Sequence, residues 1–483
     1  MKNKLQFPPS FRVGLRAPAV LAVLGVLSAC SQLPTYTRPE VALPASWATE
    51  NPSPVANGSQ AADLSWQGFV QDAQLRRLVQ AALDNNRDLR VAVLQIEQAR
   101  AQYQVRSADA WPTVQAGLAG SRATTGKNEP IESTYRAGLL VTSWELDLFG
   151  RIASLKEAAQ AQFLATQEAR KAVQVSLVAA VANGWFNLQA SEAQLKLAQD
   201  TWRTRQDSLR LTRLRFDNGA ASAVELRTAE SLEATARAAV AQQARQRQQD
   251  INALTLLVGQ APNRSLDVSG AVTTLGPDAA QALAGVPVGL PSQVLLRRPD
   301  VLNAEQQLVS SNAQIGAARA AFFPQISLTT SLGSASSELS GLFKSGSWGW
   351  TLAPQALLPI FDAGRNQANL DAAKVGRDIA LARYEKAIQT AFKEVNDALV
   401  GVATLDGQLK AQEDLVRSET ERLRLTELRT QQGVASQLEY LDAQRSLFSA
   451  QQAVLQARLA QAQGQVALYQ ALGGGWQSAS GRQ

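Results

Sequence analysis

The sequence predicts a mainly α-helical chain that also carries membrane-type β-strands, folded from one unit used twice. Three observations predict it: two long proline-free stretches rich in helix formers, four short segments in which apolar and polar residues alternate, and a self-match between the two halves at an almost constant offset. With 483 residues, 45% hydrophobic and 18% charged, the chain has the material for a sizeable core.

Composition removes several classes of function. There is no histidine and a single cysteine, which excludes Cys/His zinc sites, Ser–His triads, thiol–histidine dyads and any internal disulfide. The expectation is a chain that is not an enzyme, with no catalytic residue, no metal and no cofactor. The formal charge of +6 points toward nucleic acid only superficially, because Lys2, Lys4, Arg12 and Arg16 all precede an apolar run; without those four, the 47 basic residues become 43 against 41 acidic ones. A nearly neutral chain lacks the electrostatic basis for phosphate binding, so no nucleic-acid partner is expected.

Residues 1–29 read as a signal peptide, with a basic start, the apolar run APAVLAVLGVLSA and small residues at its end. That run is too short to span a membrane as a helix. Leu27-Ser28-Ala29-Cys30 resembles the bacterial lipobox, which implies cleavage before Cys30 and lipid on it. Ser31, where aspartate would retain the protein in the inner membrane, implies sorting to the outer membrane, and several acyl chains give durable anchoring where one is marginal. Residues 30–62 contain five prolines, Pro34, Pro39, Pro44, Pro52 and Pro54, and read as an extended lipidated tether.

Two repeats follow, 63–275 and 276–476, with a short tail at 477–483. LRLTRLRFDNGAASAVELRTAES (209–231) and LRLTELRTQQGVASQLEYLDAQR (423–445) match at 11 of 23 positions at an offset of 214, which also pairs Gly150-Arg151 with Gly364-Arg365 and Gly259 with Gly473. Upstream the offset is 212, pairing Asp88 with Asp300 and Pro112 with Pro324. Each repeat reads as helix, two strands, a very long helix, a tight tip and a shorter helix. The long segments, from about Asp147 to Phe216 and Asp362 to Gln432, would each extend ~100 Å at about 1.5 Å per residue. Such lengths suit a tube or rod rather than a compact domain.

Strands are expected near 112–123, 134–144, 324–334 and 347–357. Ile326 and Leu328 alternate with Gln325, Ser327 and Thr329; Trp348, Trp350 and Leu352 alternate with Ser347, Gly349 and Thr351. Val114, Ala116 and Leu118 do the same against Thr113, Gln115 and Gly117, and Tyr135 to Ser143 does so more loosely. A barrel in lipid with a watery interior requires this pattern, and a half-buried soluble sheet also produces it. If the strands span a membrane, four per chain cannot close a barrel alone, since unpaired edges in lipid are too costly; several chains must share one, with eight or twelve strands both open arithmetically. Phe322, Phe323, Trp348 and Trp350 lie near the strand ends, where aromatic belts meet lipid headgroups.

GLPSQVLLRRPDVLNAEQQLVSSNAQIGAARAAFFPQISL (289–328) and QLEYLDAQRSLFSAQQAVLQARLAQAQGQVALYQALGGGW (437–476) resemble the TolC/OprM superfamily, in its NodT-type lipoprotein efflux branch, and the likeness runs from Cys30 to Trp476. It implies a homotrimer with a twelve-stranded shared barrel, a twelve-helix periplasmic α-barrel and an equatorial belt. The implied role is the outer-membrane exit duct of a tripartite pump exporting drugs or other small toxic compounds. Its implied partners are outer-membrane lipid, a periplasmic adaptor and an inner-membrane pump of the resistance-nodulation-division type. Two other functions fit parts of the sequence: the outer duct of a type I protein-secretion system, and a soluble periplasmic coiled-coil scaffold.

Gly219 and Gly433 sit where each hairpin reverses and can take the left-handed conformation that a reversal needs. The resemblance makes these tips the adaptor's docking surface, with Gly219, Ala221, Ser222, Gly433, Val434 and Ser436 as its residues. It also makes Leu438, Asp442 and Arg445 a periplasmic gate. A leucine ring excludes ions, and charges three apart on a helix can pair, although seam packing and a solvated charged face explain the same residues.

Overall fold

In the computed structural model the described residues are 32–40, 64–124, 126, 130–260, 275–276, 282–285 and 292–474; Cys30, the signal segment and the tail lie outside them. The first repeat begins with α1 (Ala73–Asn85) and α2 (Arg87–Ala108), then strands β1 (Val114–Ala123) and β2 (Glu132–Leu146). Helix α3 (Arg151–Asp217) and α4 (Ala223–Val258) follow. The second repeat has α5 (Pro299–Ala320), β3 (Gln325–Ser336), β4 (Trp348–Leu357), α6 (Arg365–Gln431) and α7 (Gln437–Ala471).

The duplication is visible in the backbone. Helices α3 and α6 both have 67 residues, and α2 and α5 both have 22. The left-handed glycines also come in corresponding pairs: Gly150 with Gly364, Gly219 with Gly433 and Gly259 with Gly473, at φ between 70° and 84°. The long helices start slightly later than their composition suggests because the aspartates ahead of them act as caps. Asp147 accepts the Ala153 N–H at 2.7 Å, while Asp362 accepts those of Gly364 and Asn366 at 2.9 Å each.

The chain divides into two compact units. One contains the sheet, with Glu97–Ala165, Ala304–Tyr384 and the described part of Met1–Glu40. Its strands run in the order β1-β2-β3-β4, all antiparallel neighbours, so β1 and β4 are the edges. Residues 32–40, expected as spacer, lie pinned along α5. The Asn312 side chain donates to the Pro34 carbonyl at 3.0 Å, and Glu305 accepts from Tyr36 at 3.3 Å and from Arg38 Nε at 2.7 Å.

The other unit holds the main apolar core. Trp185, Phe186 and Leu188 of α3 pack with Leu75 and Val79 of α1, Leu254 and Val258 of α4, and Val466 and Tyr469 of α7. Phe69 stacks on Tyr469 with 3.8 Å between centroids, and the Tyr469 hydroxyl donates to the Leu64 carbonyl at 2.8 Å. Each large side chain so buried contributes about 1.5–3 kcal/mol. Arg298, buried in the same unit, donates to Asp300, to Glu394 and to the Ala471 carbonyl, fixing the end of α7.

Candidate functional site

Strand pairing sorts the side chains of the sheet into two unlike faces. The register places Leu118, Ala137, Ser334 and Trp348 in one row, and Ala116, Leu139, Leu332 and Trp350 in the next. Val114, Val141, Thr330 and Leu352 form a third, so one face is almost wholly apolar and, on β4, fully exposed. The opposite face carries Gln115, Thr134, Arg136, Ser327, Thr329, Ser331, Thr351 and Gln355, among small residues and Leu140. The weak alternation of β2 has a physical cause. A bulge between Val141 and Trp144, with Ser143 at φ 51° and its N–H donated to the Thr329 hydroxyl at 3.1 Å, inserts a residue that returns Trp144 to the apolar face.

A row of four glycines, Gly117, Gly138, Gly333 and Gly349, crosses the polar side, one per strand. At its centre the backbones of β2 and β3 approach so closely that a Cβ on Gly138 would lie 2.3 Å from the Leu332 carbonyl oxygen. Below the sheet a cavity of about 500 Å³ is lined by Glu145, Phe149, Arg151, Phe323, Leu357 and Arg365. Glu145 accepts from Arg151 at 2.8 and 2.6 Å and from Gln325 at 2.6 Å. These bonds tie the strand ends to the start of α3, and no nucleophile or metal-binding cluster accompanies them. Of the aromatic candidates, Trp348 and Trp350 are exposed on the apolar face, while Phe323 stacks on Phe149 and is still 38% exposed.

At the far ends of the long helices the two tips are built alike. Gly219 at φ 70° and Gly433 at φ 73° reverse the chain, and both are exposed with open space around them. Ser222 and Ser436 are N-caps in matching capping boxes: each hydroxyl accepts an N–H three residues on, from Glu225 and Glu439, at 3.2 Å. Their hydroxyls therefore hold the hairpins shut, and what they leave for a partner is the exposed small surface around them. The Ser222 backbone N–H, donated to Glu225, is the main reason that carboxyl is held below its ordinary value. Ala221 is half-buried and Val434 exposed.

Leu438 is 56% exposed one turn from its tip. Its repeat counterpart Val224, which no sequence motif singles out, is 72% exposed, so the chain presents an apolar side chain beside each tip. The signal was present, since the offset of 214 maps one onto the other. Asp442 accepts from Arg445 at 2.5 Å, as its spacing allows, and also from Arg422 on α6 at 2.9 Å. That second bond braces α7 against α6 and is a tertiary feature. Further along, buried Arg205 of α3 donates to the Leu232 carbonyl of α4 at 3.0 Å and sits 5.3 Å from the Phe448 ring centroid of α7, drawing three helices together.

A sheet with one apolar face and two open edges, and helical hairpins with matching capped tips, are the parts that an outer-membrane efflux channel is built from. The comparisons with known proteins agree. The model of the outer membrane efflux protein family matches twice, over residues 78–260 and 290–474, once per repeat. The chain is 44% identical over 468 residues to the probable efflux pump outer membrane protein TtgC of Pseudomonas putida, covering 95% of each chain. It is 42% identical over 472 residues to the outer membrane protein OprJ of Pseudomonas aeruginosa, covering 96% of this chain and 97% of that one. Among solved structures, the open-state outer membrane channel MtrE of Neisseria gonorrhoeae superposes with a TM-score of 0.82 at 38% identity, over 92% of this chain and 99% of that one.

The chain belongs to the outer membrane efflux protein family and has the TolC-like fold. It is a non-enzymatic efflux channel of the outer membrane that extends into the periplasm, which displaces the soluble-scaffold reading. Among the described residues no helix is long and apolar enough to cross a membrane, and no group of metal-binding side chains occurs.

Proposed function

We propose that three copies of this chain share one twelve-stranded barrel and form the exit duct of a tripartite pump driven by an inner-membrane transporter of the resistance-nodulation-division type. The observation that carries this reading is the sheet: four strands, an apolar face, and edges at β1 and β4 that lipid would not tolerate unpaired. Three copies supply twelve strands and six helical hairpins. The efflux-pump names of TtgC and related proteins favour drugs and other small toxic compounds over secreted polypeptides as cargo. The periplasmic adaptor docks on the tips at Gly219, Ala221, Ser222, Gly433, Val434 and Ser436, while Leu438 with Val224, and Asp442 with Arg445, narrow the mouth. Lipid on Cys30 anchors the amino terminus in the outer membrane.

The test is to feed labelled palmitate, extract the outer membrane with detergent and determine the mass of the purified particle, beside a Cys30→Ala control. A labelled, detergent-dependent trimer is expected, with the label lost in the control. An unlabelled particle removes the lipid anchor, and a monomer removes the shared barrel.

A further inference from the structure

The two repeats treat one arginine differently, and the difference falls on the wall of a cavity. In the first repeat Arg151 opens α3, and its guanidinium is engaged by Glu145, which accepts from it at 2.8 and 2.6 Å. The offset of 214 carries Arg151 to Arg365, which opens α6, and Glu145 to Pro359. The second repeat therefore keeps the arginine and replaces its carboxylate by a residue that cannot pair with it. Asp362, the nearest acid in sequence, does not take over: its oxygens accept the Gly364 and Asn366 N–H groups at 2.9 Å each, and it acts on Arg365 through space only. Among the described residues the exposed guanidinium of Arg365 has no ion-pair partner.

Arg365 lines the cavity of about 500 Å³ below the sheet, a size typical of small-ligand sites. The other charged groups of that lining already have partners: Glu145 accepts from Arg151 and Gln325, and Asp147 accepts the Ala153 N–H. The apolar part of the wall is continuous with the apolar face of the sheet. Leu146 and Ile326, opposite each other, end the rows of that face, and Leu358, 53% exposed, stands beside them in the lining. The height of the cavity follows from the strands. The pairs of β3 with β4 run from Gln325 with Leu357 to Ser334 with Trp348, ten in all, and a tilted strand needs about 9–11 residues to cross the hydrocarbon of a bilayer. The cavity begins where that span ends, on the side of the helices, and so lies at the level of the headgroups of the periplasmic leaflet.

We infer that this cavity binds the headgroup of a glycerophospholipid, with the phosphate on Arg365 and the glycerol and first acyl carbons against Leu146, Ile326 and Leu358. A phosphodiester carries one negative charge, which answers the one cation of the lining that lacks a partner, and its oxygens match the fork of a guanidinium. The acyl chains leave along the apolar rows of the sheet. The first repeat offers no such site, because Glu145 already occupies the fork of Arg151. The inference rests on the reading of the sheet as the membrane span of a shared barrel, and adds to it a lipid site.

The experiment uses the full-length channel, purified in detergent and stripped of lipid, then titrated with short-chain phosphatidylglycerol while native mass spectrometry reports both the bound lipid and the mass of the particle. The matching diacylglycerol, which lacks the phosphate, and glycerol phosphate, which lacks the chains, are titrated in parallel. Phosphatidylglycerol should bind more tightly than either. Arg365→Gln should weaken it by about tenfold or more, the effect of losing one charge-assisted bond, in a particle of unchanged mass. Pro359→Glu, which restores the carboxylate of the first repeat, should weaken it likewise by occupying Arg365 from within the chain. Unchanged affinity in Arg365→Gln, or diacylglycerol bound as tightly as the phospholipid, overturns the phosphate contact. Glycerol phosphate bound as tightly makes the cavity a site for free anions and overturns the lipid. Each of these outcomes in a particle of trimeric mass leaves the shared barrel standing, whereas a monomer that needs no detergent overturns the barrel and the lipid site together.

Discussion

Replacing glycines in the row that crosses the sheet, one at a time, by alanine tests whether the close approach of β2 and β3 is built into the backbone. At Gly138 the new Cβ would stand 2.3 Å from the Leu332 carbonyl oxygen and 2.7 Å from the Gly333 Cα; at Gly333 it would stand 2.2 Å from the Ala137 carbonyl oxygen. Ordinary contact begins near 3.4 Å, so the strands must part by about 1 Å, and because the obstruction is backbone, no rotamer change relieves it. Overpacking of this kind costs about 1–3 kcal/mol. At Gly117 the nearest atom, 2.5 Å away, is a methyl of Leu140 that can rotate aside, and at Gly349 nothing lies within 4 Å. The expected order of damage is Gly138→Ala and Gly333→Ala, then Gly117→Ala, then Gly349→Ala. The assay is the temperature at which the detergent-purified channel dissociates on a denaturing gel, with outer-membrane yield as a second readout. If Gly117→Ala proved as harmful as Gly138→Ala, or all four were neutral, the reasoning from backbone approach would be refuted.

The tips should respond to their caps: Ser222→Ala and Ser436→Ala each remove an N-cap hydroxyl worth about 1 kcal/mol, to be read as faster amide exchange in the first turns of α4 and α7. The depressed Glu225 carboxyl gives the first tip a pH dependence, since a group with lowered folded pKa stabilises above its ordinary value of 4.5 and loses that contribution as pH falls through the folded value. Measured against the intrinsic rate, which itself slows as pH falls, the amides of Ser222 and Glu225 should therefore lose protection in acid, and a Glu225→Gln variant should show no such change. Leu438→Ala combined with Val224→Ala should raise single-channel conductance in planar bilayers above that of either single variant; equal conductance in all would remove the apolar ring. Glu305→Ala should release residues 32–40, seen as loss of amide protection there while the strands keep theirs.

Much of this architecture is legible before folding is considered. The duplication, the two long helices and the four strands follow from periodicity and from proline placement, since helix and strand are set by contacts a few residues apart. The tips were readable because a chain reversal needs a left-handed residue and both halves supply a glycine there. Val224 is legible only through the repeat, which maps it onto Leu438, since a valine near a helix start carries no chemical signature by itself.

What the sequence by itself determined is the set of local units and their twofold repetition. Only the tertiary structure decided which strand lies beside which, and hence that β1 and β4 are left as edges. It also decided that Arg422 reaches Asp442, that Tyr36 and Arg38 close on Glu305, and that Ser143 bulges so that Trp144 regains the apolar face. Each of these joins residues far apart in the chain or depends on a register between strands. Such contacts are selected by packing and hydrogen-bond satisfaction over the whole fold, which no local pattern encodes.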